Sequence, residues 1–239
     1  RAAVFTGDQA TSYVKIPHHA ELVFRDESHV DSDSTYMVSF WMKRTSLSGT
    51  QYIAGKHSSF TAKGWYMYIN SSGDLYVAHN DHSNSGIMSY NSSGSLFNVL
   101  DTWQHVTIIH DANNASTHPN TNVMYFYLNG QLVSQETENT SHVAIEEFNN
   151  TDFFVGTVRT TGGSYPGFVG EMFDFTVFNG RRYGGFIAVG ESSSDVAELY
   201  NEGKRFDPTT HRLASDLVLW LKLGDHYDSK SSFKDFSGN

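Results

Sequence analysis

The chain has no cysteine in 239 residues, only 4 prolines, and 16 Lys and Arg against 26 Asp and Glu. Each shortage removes a class of protein. Without cysteine there is no disulfide scaffold, no thiol nucleophile and no thiolate metal site. A chain of this length has enough core to fold without disulfides. The formal charge of −10 excludes wrapping of a nucleic-acid backbone as a role. No run of about 18 apolar residues occurs, so nothing in the sequence reads as a membrane-spanning helix. No G-x-S-x-G stands between a strand and a helix, so the nucleophile-elbow class is absent too. Nor is there an internal repeat, a linker or a low-complexity tract, so residues 1–239 are read as one domain. The chain opens on Arg1 and stops at Asn239, and further residues are expected at both ends.

What the chain does have is aromatic residues, 13 Tyr and 17 Phe among them. These favour strands and fill sandwich cores. From Phe168 to Val177 the apolar pattern has a period of two. Regular alternation sends Phe168, Gly170, Met172, Asp174 and Thr176 one way, and Val169, Glu171, Phe173, Phe175 and Val177 the other. A helix is predicted over about 194–202. Ser194 or Asp195 can cap it, Val196, Leu199 and Tyr200 share a face, and Gly203 can end it. Leu217 to Leu223 is a closing strand. The expected fold is all-β, an antiparallel sandwich with one short helix near the C-terminus. Ala78–Ser95, Asp111–Asn122 and Thr157–Gly167 are rich in Asn, Ser, His and Gly and read as surface loops.

Several short motifs occur in a recognisable order. VFTGDQATSYVKI runs from Val4 to Ile16, MVSFWMKR from Met37 to Arg44, and GWYMYINSSGDLYV from Gly64 to Val77. TWQHVTIIHD (Thr102 to Asp111) and MYFYLNGQLV (Met124 to Val133) follow. The series closes with GEMFD (Gly170 to Asp174), LYNEG (Leu199 to Gly203), WLKLGD (Trp220 to Asp225) and DFSGN (Asp235 to Asn239). This order resembles laminin-G-like, concanavalin-A-like jelly-roll domains over nearly the whole chain. The closing motifs are most similar to modules in bacteriophage structural proteins. The resemblance implies a jelly roll, calcium near the meeting point of the chain ends, and a place on a virion surface or outside the cell. It also implies glycans or other virion proteins as partners, met as a homo-oligomer or multivalent array, in which copies add avidity. A secreted carbohydrate-binding or adhesion module is the alternative reading, and a glycoside hydrolase the next. For calcium, the positions matching the resemblance are Asp8, Asp235 and Asn239, with Asp174 as an addition. An ordinary turn at Asp235 explains that motif equally well.

The remaining chemistry is weighed on residue types. Glucanases of this fold carry three carboxylates on one strand. Here only Glu171 and Asp174 share a strand, and a spacing of three puts them on opposite faces unless a bulge intervenes. No catalytic residue is therefore assigned. The run His79-Asn80-Asp81-His82 reads as an exposed loop pair rather than a zinc site. For sugar binding, Trp65, Tyr66, His79, Asn80, Asp81, Tyr90 and Asn91 are of the right types and lie near loops. Trp41, Trp103 and Trp220 match core positions instead.

Overall fold

A computed structural model describes residues 1–19, 22, 24, 35–57, 64–80, 87–111, 121–139, 151–160, 163–179, 195–224 and 234–238. In chain order the strands are β1 (Ala3–Thr6), β2 (Val14–Ile16), β3 (Tyr36–Arg44), β4 (Gln51–His57), β5 (Gly64–Ile69), β6 (Leu75–Asn80), β7 (Ile87–Asn91) and β8 (Gln104–Asp111). They continue with β9 (Thr121–Leu128), β10 (Gln131–Asn139), β11 (Phe153–Val155), β12 (Arg159–Thr160), β13 (Gly163–Ser164), β14 (Val169–Asn179) and β15 (Leu217–Leu221). Helix α1 (Asp195–Tyr200) precedes β15.

The strands form two antiparallel sheets and a small β12–β13 hairpin. One sheet runs β1-β14-β3-β8-β9-β10, with β15 also on β14, and the other β2-β11-β4-β5-β6-β7. Together they make the jelly-roll sandwich expected from the sequence. Between them lies one aromatic-rich core, including Val38, Phe40, Met42, Trp65, Met67, Phe126, Phe153 and Phe175. Alternation builds it. Along β3, Tyr36, Val38, Phe40 and Met42 face inward, while Met37 and Trp41 face outward.

The outward face of the seven-stranded sheet is itself covered. Val196 and Leu199 of α1, with Leu213, Leu217 and Trp220, pack on Met37, Ile109, Tyr127 and Phe178. The helix is where the sequence predicts it and shows the predicted face. Gly203 follows it at φ 84°, in the left-handed region that glycine tolerates. Its first residue, Asp195, is fully buried and held by Arg212, 2.6 Å and 2.7 Å away. Ser194 lies outside the described residues.

Two expectations change. Neither Ala78–Ser95 nor Thr157–Gly167 is a plain surface loop: β6 runs on to Asn80, β7 occupies Ile87–Asn91, β12 and β13 form a hairpin, and Thr157 and Val158 are buried. Strand β14 does not alternate to its end either. Its pairing with β3 slips between Phe173 and Thr176, and Asp174 sits at φ 48°. This bulge adds one residue and reverses the phase, so Met172 and Phe175 both reach the core.

Under α1, His105 shares an edge-lined pocket with Trp41 and Thr176, and Leu199, Phe206 and Pro208 close it from above. Its Nε2 lies 2.9 Å from Ser39 Oγ, which accepts from Thr107 Oγ1 at 3.1 Å. His105 Nδ1 has no hydrogen-bond partner. Burial pushes this imidazole down to about 3. A histidine that is neutral when folded and free to charge when unfolded stabilises the fold above its unfolded pKa of about 6.5. That contribution is lost as pH falls from there toward 3. His105→Gln should therefore differ most from wild type near neutrality. The gap in urea-derived stability should narrow by about 1.4 kcal/mol per pH unit below 6.5, and a gap constant from pH 7 to pH 4.5 would contradict it.

Candidate functional site on the six-stranded sheet

Strand β5 reads Trp65-Tyr66-Met67-Tyr68-Ile69. Its period of two sends Trp65, Met67 and Ile69 into the core and Tyr66 and Tyr68 onto the opposite face. Tyr52 of β4 stands directly opposite Tyr68, Tyr68 opposite Tyr76 of β6, and Tyr76 opposite Asn91 of β7. Four neighbouring strands thus each supply one side chain to a single row. The Tyr68 and Tyr76 rings are 4.8 Å apart and only 2° from parallel, and Tyr52 is 5.3 Å from Tyr68. Tyr165, just after β13, extends the row at 5.2 Å from Tyr52.

That spacing is imposed by the sheet, whose strands lie about 4.8 Å apart. Rings so close cannot lie flat side by side. They overlap like shingles, and each pair adds about 0.2–1 kcal/mol to the sheet. Tyr66 lies beside the row, 6.0 Å from Tyr52, with His57 edge-on at 5.0 Å. Gly55 is the partner of Tyr66, and a Cβ there would stand 2.7 Å from Tyr66 Cβ and 2.9 Å from Val158 Cγ2. The glycine makes room for the ring.

The row consists of neutral side chains. Burial, then the neighbouring Tyr68 and Tyr165, pushes Tyr52 up to about 12. Burial likewise raises Tyr66 and Tyr68. These phenols stay protonated through the neutral range and both donate and accept. Asn91 donates its Nδ2–H to Tyr76 Oη at 3.0 Å, and its backbone N–H to Glu136 of β10. Partly exposed aromatic surface edged by hydroxyls and an amide suits a ligand with a C–H face and a hydroxyl rim.

The family described as the concanavalin A-like lectin/glucanases superfamily matches residues 8–183. The chain belongs to that superfamily. No curated protein matches it in sequence. Among solved structures, a candidate carbohydrate binding protein from Bacteroides ovatus superposes with a TM-score of 0.61 at 15% identity, over 99% of this chain and 55% of its own. The receptor binding domain of botulinum neurotoxin D gives 0.51 at 15% identity, over 84% and 43%. The CBM40 of the Ruminococcus gnavus IT-sialidase gives 0.49 at 12% identity, over 61% and 76%. At these identities the likeness is one of fold.

In this lectin-type sandwich the residues expected to bind sugar divide. Tyr66 and Asn91 belong to the tyrosine face, where Asn91 is half-buried and Tyr66 is buried among its neighbours. Trp65, His79 and Tyr90 do not, for they are at most 2% exposed and point into the core. The expected exposed loop pair at His79 is corrected in the same way. These three were chosen by residue type, whereas strand phase decides the face. The side chain of Asn80 and all of Asp81 and His82 lie outside the described residues. Tyr52, Tyr68, Tyr76 and Tyr165 were missed, although the alternation of β5 and β6 already separates tyrosines from core residues. Trp41 and Trp220 are buried as expected, and Trp103 is half-buried against Phe173 at 4.8 Å.

Of the expected calcium ligands, Asp8 and Asp235 do not share one site. The chain ends do meet: β1 and β15 lie end to end along one edge of β14, and Gly224 packs so tightly on Ala2 that a Cβ would come within 2.6 Å. But Asp8 follows the far end of β1, beyond the Thr6–Val169 pair, while Asp235 bridges Leu221, the partner of Phe175. The intervening strand is about 20 Å long at about 3.3 Å per residue. Asp8 instead caps its own turn through Ala10 N–H at 2.8 Å and Thr11 Oγ1 at 2.7 Å. Asp235 accepts from Trp220 N–H and Ser237 N–H, both at 2.9 Å. Asp174 accepts two bonds from Arg205, at 2.8 Å and 2.7 Å, and one from the Trp220 indole at 3.3 Å. Asn239 lies outside the described residues. The bulge also corrects the reading of Glu171. It puts Glu171 and Asp174 on the same outer face, where Lys43 pairs with one and Arg205 with the other. Residues this far apart are expected to act independently. In a double-mutant cycle of Asp8→Ala and Asp235→Ala, run in calcium and again in chelator, the stability losses should add to within about 0.5 kcal/mol. Coupling that appears only in calcium would show a shared ion.

Proposed function

We propose that this chain is a non-enzymatic glycan-binding module. It holds an uncharged sugar chain along Tyr165, Tyr52, Tyr68, Tyr76 and Asn91. The observation that carries this reading is the row itself, four cross-strand partners on a sheet face that the chain leaves partly exposed. Membership of a lectin-type superfamily supports it, as does the likeness in fold to the Bacteroides ovatus protein. A row without a cation favours neutral over anionic glycans, and so does a chain of formal charge −10. The pairing of Glu171 and Asp174 with cations supports a binding rather than a hydrolytic role.

The place proposed for the module is a phage particle surface, on the resemblance of its closing motifs. There, copies in an array would supply avidity to individually weak contacts. The second reading, a carbohydrate-binding module within a longer secreted protein, is favoured by one observation: the chain spans 55% of the Bacteroides ovatus protein. A particle component should co-purify with virions at fixed stoichiometry, and a secreted module should not.

Binding is tested by affinity electrophoresis against soluble β-glucan, xylan and galactomannan, with sialyllactose as the anionic comparison. At least one neutral polymer should retard the chain. Tyr52→Ala and Tyr68→Ala should each weaken that binding about tenfold, the loss of about 1.4 kcal/mol expected of an aromatic anchor. Melting temperatures should fall by only a few degrees, because each variant loses ring pairs worth about 0.2–1 kcal/mol apiece. Retardation by no polymer, or undiminished retardation of both variants, would overturn the reading.

A further inference from the structure

One polar group of the interior has no part in glycan binding. Tyr36 of β3 and His110 of β8 are direct partners on the inner face of the seven-stranded sheet. His79 of β6 and Tyr90 of β7 face them from the other sheet. Each of the four is at most 1% exposed. The contacts cross the gap between the sheets. Tyr36 Oη is 2.7 Å from His79 Nε2, and Tyr90 Oη is 3.5 Å from His110 Nε2. The two imidazole rings stand 4.5 Å apart at 88°. Phe24 and Trp65 wall the group, at 4.3 Å and 5.4 Å from the Tyr36 ring. Two nitrogens and two phenol oxygens are thus gathered in an aromatic enclosure.

We propose that Tyr36, His79, Tyr90 and His110 form a binding site for one divalent transition-metal ion of the copper and zinc class. Imidazole nitrogen suits both ions, and tyrosine oxygen is an established protein ligand to iron. The spacing fits. Two ligands about 2.0–2.1 Å from a common ion stand about 2.9 Å apart at a right angle and about 3.4 Å apart at the tetrahedral angle. The two contacts, 2.7 Å and 3.5 Å, lie within about 0.2 Å of that range, so small ring shifts would place both pairs on an ion. Charge fits as well. A divalent ion displaces one proton from each phenol to bulk water and meets two phenolates and two neutral imidazoles. The complex has no net charge, which is the condition for placing an ion in a dry interior. Among the described residues no three His, Asp or Glu side chains gather, so the phenols are what complete a ligand set here. Drawn from both sheets, the four ligands would tie the sandwich together through one ion.

The test uses the full chain. Copper(II) or zinc(II) is supplied at one equivalent, either to the native protein or during refolding from urea, and unbound metal is removed by desalting. Retention of one ion per chain is expected in at least one arm. The copper form should show a visible phenolate-to-copper absorption band and nitrogen hyperfine structure in its electron paramagnetic resonance spectrum. Calorimetry in two buffers of different ionisation enthalpy should count two protons released per ion. Tyr36→Phe with Tyr90→Phe keeps both rings, should abolish the band, and should weaken binding at least 100-fold. No retained ion in either arm would overturn the proposal and leave the group as hydrogen bonds between sheets. So would a wild-type copper form without a phenolate band, which would assign the ion to exposed histidines such as His19. The band is read on the wild type, so the result stands whether or not the variant folds.

Discussion

A sheet has two faces, and a two-layer sandwich therefore has four to dispose of. In this chain two faces meet in the core, and a third is covered by α1, whose Val196 and Leu199 join Met37, Ile109 and Phe178 of that sheet, with Leu217 and Trp220 of β15, in one apolar cluster. The rest of the structure depends on that sealing. Beneath α1 the seven-stranded sheet is buried on both sides, and there its outward polar residues Ser39, Thr107 and His105 are hydrogen-bonded to one another, while Glu171 and Asp174 on the same face pair with Lys43 and Arg205. The fourth face, on the six-stranded sheet, keeps its aromatic side chains partly exposed, and the candidate site lies there.

How much of this is legible in the sequence depends on whether strand phase is preserved. The MVSFWMKR run alternates without interruption, and the side chains of β3 divide between inner and outer faces as the pattern dictates. The helix was legible because Val196, Leu199 and Gly203 carry local signals that need no tertiary information. The bulge at Asp174 was not. It depends on Arg205, 31 positions away, and the Trp220 indole, 46 away, converging on one carboxylate. Nothing between Gly170 and Thr176 announces those partners. The sugar-binding residues failed for another reason. Trp65 and Tyr66 are adjacent and chemically alike, so choosing by type takes both, while the pleat sends one to each face.

The calcium expectation shows the limit of reasoning from proximity of chain ends. Ala2 and Gly224 are in contact, as a closed sandwich requires. But a ligand must be placed to within a fraction of an ångström, and four residues of β1 carry Asp8 well away from that junction. Topology fixes which strands are neighbours. Register and strand length decide which atoms meet.

The end-to-end arrangement of β1 and β15 has a consequence for the behaviour of the chain among its own copies. Along that margin of the sheet the outermost backbone is interrupted: four residues of β1, a junction at Ala2 and Gly224, then β15, whose outer edge is already taken by Asp235 and Phe236. A foreign strand seeking to extend the ladder finds only the short template of β1 instead of one long edge. The opposite margin, β10, has nine residues, but its pairing shifts between Leu132 and Ser134 and bends the line of free amides there. Among the described residues, both margins of the larger sheet are thus poor seeds for strand-by-strand growth, and a protein with no disulfide to lock it can be crowded at high local density with its sheets still closed to one another.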